Sequence, residues 1–197
     1  NSLSELTDVN YELIFVNDAS SDESLNILKE KMQYFPIKVI NMSRRFGTGP
    51  CVIAGFEYAK GDAVIYLDSD LQDPPELITE LIKQHEKGFD IVHTKRTKRL
   101  GEPRSKLFFT NLAYAIIDKL SDINLEKDVG YFKLISKRAL NKILEQKEYN
   151  PYIRGLSVWV GFKQTYVDYV REAREAGESK FSLFAEGPVS QLSLIHI

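Results

Sequence analysis

Short apolar runs alternate along the chain with stretches in which apolar positions recur every three or four residues, the pattern of strands separated by helices. Tyr11 to Val16 is predicted as a buried strand ending in Asn17-Asp18, after which Ser20, Ser21 and Asp22 supply N-cap chemistry for a helix to about Tyr34. Ile37 to Met42 is the next strand. Gly47, Gly49 and Pro50 open a second helix, with Pro50 suited to its first turn. Ala63 to Leu67 is a third strand, apolar except for the Tyr66 hydroxyl, as expected of a central parallel strand. Asp73-Pro74-Pro75-Glu76 starts a helix to about Lys87, and Phe89 to His93 is a fourth strand. A basic loop, Lys95 to Arg104, leads into an apolar helix from about Lys106 to Leu120. Tyr131 to Ile135 reads as a strand, Lys137 to Glu145 as a helix and Gln164 to Tyr169 as a last strand. This order predicts βαβ units around a parallel sheet, and no internal repeat or low-complexity linker interrupts it.

Composition narrows the class. The 197 residues are enough for one well-cored domain, and 43% hydrophobic with 27% charged residues is ordinary for a globular protein. A net charge of -2 provides no global attraction to nucleic acid, so none is expected as a partner and anion binding must come from local clusters. The single cysteine, Cys51, excludes an internal disulfide framework and sits in an apolar run, as a buried inert thiol would. No apolar stretch approaches the roughly 20 residues that span a bilayer, and the start carries no signal-peptide pattern. The chain has no initiator Met and enters its first strand almost at once, as a fragment would. After Phe184 the pattern dissolves. The closing hexapeptide Leu192 to Ile197 resembles a translated sequencing-adaptor sequence, so residues 185–197 are expected to be an unstructured or artefactual tail, with no role for His196.

In open α/β sheets ligands bind beyond the carboxyl ends of the strands. Two acidic clusters fall there: Asp18 after the first strand and Asp68-Ser69-Asp70 after the third. Paired carboxylates in a polar mouth suit a hard cation that bridges phosphate oxygens, although bare D-x-D triplets are common and a solvated acidic loop is the more frequent reading of one.

The surroundings of the triplet are more specific. Gly61-Asp62 followed by Asp68-Ser69-Asp70-Leu71-Gln72-Asp73-Pro74-Pro75-Glu76 resembles the GDxxxxxDxDLQDPPE signature of family 2 glycosyltransferases that act on polyprenyl phosphates, among them dolichyl-phosphate mannosyltransferases and bacterial polyprenyl-phosphate glucosyltransferases. Val16-Asn17-Asp18-Ala19-Ser20-Ser21-Asp22 is similar to that family's V(N/D)DxSxD segment, and Ser43-Arg44-Arg45-Phe46-Gly47 resembles its S-R-N-F-G, with Arg45 in place of the asparagine. Asp128-Val129-Gly130-Tyr131-Phe132-Lys133-Leu134 resembles D-x-G-x-F-(R/K)-L, with Tyr131 where many relatives carry an acid. Arg154 to Gly161 resembles R-G-L-x-x-W-x-G, and Arg171 to Lys180 resembles R-x-x-R-x-x-G-x-S/T-K.

The resemblance covers roughly Tyr11 to Phe184 and implies an α/β GT-A fold, Rossmann-like, with a mostly parallel sheet flanked by helices, truncated at both ends and its first strand missing; residues 1–184 form the catalytic domain. It implies a Mg²⁺ or Mn²⁺ ion held by Asp68, Asp70 and Gln72, and donor or nucleotide contacts from Asp18, Arg44, Asp68 and Asp70. Asp128 matches the acidic residue proposed as base or acceptor-side group. Phosphate or acceptor contacts are implied for Arg96, Arg99, Arg171, Arg174 and Lys180. The implied reaction is inverting transfer from a nucleotide-sugar donor to polyprenyl phosphate at the cytoplasmic face of the cell membrane, with homo-oligomerisation left open. Bland readings stand beside these: helix capping for Asp22, solvated surface for the basic segments, a backbone-capping carboxylate for Asp128, and core packing for Trp159. A saccharide acceptor and a noncatalytic membrane-associated scaffold with a degenerate donor site are the competing functions.

Overall fold

Five consecutive buried residues, Ala63–Leu67, can be accommodated only by a strand covered on both faces, and β3 (Ala63–Asp68) lies inside the sheet. A computed structural model describes residues 9–69, 72–98, 126, 128–148, 151–170 and 192–196. Within these, the chain order is β1 (Glu12–Asn17), α1 (Ser24–Lys31), β2 (Ile37–Asn41), α2 (Thr48–Tyr58), β3, a 3₁₀ turn (Pro75–Leu77) and α3 (Ile78–Glu86). There follow β4 (Ile91–Lys98), β5 (Val129–Ser136), α4 (Lys137–Leu144), α5 (Ile153–Trp159), β6 (Gln164–Val170) and β7 (Leu192–His196). The predicted helix from Lys106 to Leu120 lies outside the described residues.

The strands form one sheet in the order β2-β1-β7-β3-β5-β4-β6. Only β1–β2 and β4–β6 pair in parallel; β5 and β7 are each hydrogen-bonded antiparallel to both neighbours. It follows that β1, β2, β3, β4 and β6 share one direction, and that β5 and β7 run against it. The sheet is therefore mixed, with five of the seven described strands running one way, as the alternation of elements predicted, and β5 and β7 inserted against them. Helices cover it on both faces. Val64, Tyr66, Ile91 and Ile135 pack with α2, α4 and α5, whereas Ile65, Leu67, Val92, Phe132 and Leu134 pack with α3. The period-two alternation sends neighbouring residues of each strand into opposite cores.

Local chemistry explains most boundaries. The Asp22 carboxylate accepts the Ser24 N–H at 3.0 Å, so Asp22, and not Ser20 or Ser21, holds the first turn of α1. Gly47 precedes α2 with φ of 86°, a left-handed conformation natural to glycine. Ser136 caps α4 through the Ala139 N–H and donates to the buried Asp90, which Arg138 also grips with both guanidinium arms. That ion pair, chiefly the Arg138 hydrogen bonds, holds the Asp90 carboxyl below its ordinary range and ties α4 to the start of β4.

Several elements differ from expectation. Lys95 to Lys98 continue β4, since β4 pairs with β6 as far as Lys98–Val170; cross-strand partners here override the loop character of a basic run. Residues 192–196 form β7 between β1 and β3 and are not unstructured, because an apolar segment there meets two open strand edges. Residues 153–159 form α5, which the sequence pattern did not reveal. Trp159 is 57% exposed and so is not a core residue. No helix among the described residues is long and apolar enough to cross a membrane.

Ile65 is fully buried against α3. Ile65→Ala is expected to lower the unfolding free energy by about 2–5 kcal/mol, measured by urea titration.

Candidate active site

The shared direction of β1 and β3, and the reversed direction of β5 between β3 and β4, bring three acidic turns to one edge of the sheet. Asp18 follows the end of β1, Asp68 ends β3, and Asp128 immediately precedes β5, which runs antiparallel to β3. Backbone strain marks two of these turns: Ala19 has φ of 50° and Asp128 φ of 64°, left-handed values uncommon outside glycine.

Asp18 is buried, and its two oxygens accept the backbone N–H groups of Phe46 at 2.7 Å and Gly47 at 2.9 Å. The carboxylate thus fixes the loop that opens α2. Asn17 supports it, donating to Asn41 at 2.7 Å and accepting the Ser20 N–H at 3.3 Å. The neighbouring Cys51 thiol is pushed up to about 12 by burial first and then by the Asp18 charge, as an inert buried thiol should be. Arg44 is exposed, with its guanidinium 4.0 Å above the Phe46 ring and bonded to the Arg45 carbonyl. Gly49 accommodates backbone and not ligand, since a Cβ there would lie 3.0 Å from the Pro151 carbonyl oxygen.

At Asp68, Oδ1 accepts the Tyr66 hydroxyl at 3.0 Å, and the Tyr66 ring meets Tyr131 edge-on at 5.9 Å. Burial, then the Asp68 charge, keeps the Tyr66 phenol well above its ordinary range, so it remains a donor. Asp73, from the same signature, is buried and accepts the Tyr169 hydroxyl. Gln72 immediately precedes Asp73 and is partly buried. Asp70, Arg99, Arg171, Arg174 and Lys180 lie outside the described residues, and among those described no three His, Cys, Asp or Glu side chains converge as a metal site. Arg96 is in β4, where its Nε donates to Tyr169 at 3.1 Å.

One strand layer below Asp68 lies a polar cluster to which the sequence reading assigned no role, although Lys133 and Arg154 fall within matched motifs. Lys133 is fully buried in β5, directly opposite Tyr66 of β3 and His93 of β4. Its Nζ donates to Ser157 of α5 at 3.0 Å, and Ser157 donates to the Arg154 carbonyl at 2.9 Å. Arg154 in turn bonds the Glu126 carbonyl at 3.2 Å, two residues before Asp128. Desolvation, aided by the Arg154 charge, pushes the Lys133 ammonium down to about 7. Burial, then the Lys133 charge, pushes His93 down to about 3, while its Nε2 pairs with Gln164 at 2.8 Å. The sequence signal for Lys133 was a lysine inside the apolar run Tyr131 to Ile135; a strand buried on both faces leaves it no route to solvent.

Residues 1–144 match the family model for Glycosyl transferase family 2, and the chain belongs to that family. An uncharacterised glycosyltransferase of Bacillus subtilis, YkcC, is 45% identical over 90% of this chain and 55% of its own length. A prophage bactoprenol glucosyl transferase homolog of Escherichia coli is 37% identical over 90% of this chain and 58% of its own length. This chain thus spans a little over half the length of these relatives. Among solved structures, TarS of S. aureus, residues 1–349, aligns with 78% of this chain and 48% of its own at 17% identity, with a TM-score of 0.47.

The depressed Lys133 pKa sets a stability signature. Between about 7 and the ordinary 10.5 the unfolded chain binds a proton there that the folded chain does not, so stability contributed at this site rises with pH across that window. Lys133→Met is expected to flatten that rise, as urea unfolding at a series of pH values will show.

Proposed function

We propose that the chain catalyses inverting transfer of a sugar from a nucleotide-sugar donor to a polyprenyl phosphate at the cytoplasmic face of a membrane. The observation that carries this reading is the convergence of Asp18, Asp68 and Asp128 at one edge of the sheet. The relatives whose names specify bactoprenol glucosyl transfer support a lipid phosphate over a saccharide acceptor.

In this reading the acceptor phosphate oxygen forms a bond to the anomeric carbon while the bond from that carbon to the donor diphosphate breaks, its electron pair leaving with the diphosphate. A phosphate monoester has its second pKa near about 6 and is already mostly ionised at neutral pH. Asp128 therefore orients acceptor-side groups more than it removes a proton. Asp68, Asp70 and Gln72 offer carboxylate and amide oxygens, the hard donor set that fits Mg²⁺ or Mn²⁺. Such an ion supplies neutralisation of charge on the departing diphosphate. Tyr66 holds Asp68 by hydrogen bond, and Asp18 holds the loop that carries Arg44, so both donor-side groups sit on a fixed floor. Arg99, Arg171, Arg174 and Lys180 complete the phosphate grip.

A donor panel with polyprenyl phosphate and with saccharide acceptors, in Mn²⁺, Mg²⁺ or chelator, tests the reading in the complete protein. Transfer is expected to polyprenyl phosphate and to need the cation. Asp70→Asn is expected to cut transfer by about 10²–10³-fold with folding intact; undiminished transfer would refute the metal assignment. Asp128→Asn is expected to lower kcat more than it raises the donor KM, and a pure donor-binding defect would remove Asp128 from the acceptor side.

A further inference from the structure

One chain of hydrogen bonds joins the turn after β3 to the turn before β5. The Arg96 backbone N–H donates to the Asp128 carbonyl at 3.0 Å, and the Arg96 Nε donates to the Tyr169 hydroxyl at 3.1 Å. That hydroxyl donates in turn to Asp73 Oδ1. Asp73 is 1% and Tyr169 6% exposed, so the links are shielded from water and cannot be exchanged for solvent without cost. The Tyr169 ring stands edge-on to Phe132 at 6.5 Å, in the core that faces α3. The neighbouring glycine is part of the same construction. A Cβ on Gly130 would lie 3.0 Å from an Arg96 terminal nitrogen, close enough that the guanidinium would have to give by a few tenths of an ångström.

We infer that Arg96, Tyr169 and Asp73 form a brace that sets the segment beginning at Gln72 relative to the Asp128 turn, with Arg96 and Tyr169 acting as positioning residues. The inference rests on the reading that these two form the donor and acceptor sides of one site. It gives Arg96 a different task from the phosphate contact that its basic surroundings suggested. It also gives a structural task to two signature residues, Asp73 and Gly130. Burial, followed by the Asp73 charge, pushes the Tyr169 phenol up to about 12, so it stays a donor at any working pH.

Tyr169→Phe in the complete protein tests the brace, and Gly130→Ala tests it again without deleting a hydrogen-bonding group. Without any ligand, amide hydrogen exchange across residues 69–77 is expected to speed up about tenfold in both variants, the worth of one buried hydrogen bond. The donor KM is expected to rise by about the same factor while kcat and the acceptor KM stay put, a split that simple loss of folded protein does not produce. Tyr169→Phe combined with Asp73→Ala should be no worse than Asp73→Ala alone. Unchanged exchange in both variants, or fully multiplicative losses in the double variant, would overturn the brace. Absence of transfer by the unaltered protein would instead defeat the polyprenyl-phosphate reading, and the exchange measurement would still decide the brace.

Discussion

The reversed strand β5, hydrogen-bonded between β3 and β4, is the constraint on which the rest of the molecule depends. A parallel strand in that slot would place its start at the opposite edge of the sheet from the end of β3. Running backwards, β5 begins where β3 ends, and the turn carrying Asp128 is brought beside the turn carrying Asp68. The pairing also fixes what lies below. Because Tyr66, Lys133 and His93 are directly opposite one another, a polar layer crosses the middle of the sheet beneath the acidic edge.

That layer is expensive, and its geometry shows how the cost is contained. A buried ammonium with a hydroxyl partner pays heavily in lost hydration, and its pKa falls accordingly. The surrounding protein responds with neutral donors and acceptors, Ser157 and Gln164, and with a histidine that stays uncharged. The same bonds tie α5 to the sheet and lead through Arg154 to the segment before Asp128. The acidic edge therefore stands on an interior whose hydrogen bonds hold one arrangement.

Membership of the glycosyl transferase family 2 gives the motifs a shared setting, but the structure divides their residues by task. Asp68 is at the strand end where ligands bind in such sheets. Asp18 secures the α2 loop with both oxygens, Asp73 receives a buried tyrosine, and Gly130 makes room for an arginine. Gly155 is similar: a Cβ there would lie 2.5 Å from the Tyr152 ring. Several motif residues therefore make contacts within the protein that hold this edge of the sheet in place.

Hydrophobic periodicity and turn residues were enough to locate β1, β2, β3, α2, α3 and α4 to within a few residues, since each is dictated by its own side chains. The same local logic placed Asp18 and Asp68 at strand ends. Strand direction was not local. Nothing in Tyr131 to Ile135 tells whether the strand runs with or against β3, because both directions bury the same side chains; the pairing partners decide. For the same reason the basic run from Lys95 to Lys98 became strand once β6 lay beside it, and Leu192 to His196 joined the sheet where two edges were open. Lys133 and Tyr169 acquired their partners only through residues far along the chain, Ser157 for one and Arg96 and Asp73 for the other. The sequence by itself determined which segments form elements and which carboxylates end them. Tertiary structure decided which ends meet and which polar groups are sealed beneath them, because hydrogen-bond pairing and burial depend on neighbours that sequence proximity does not specify.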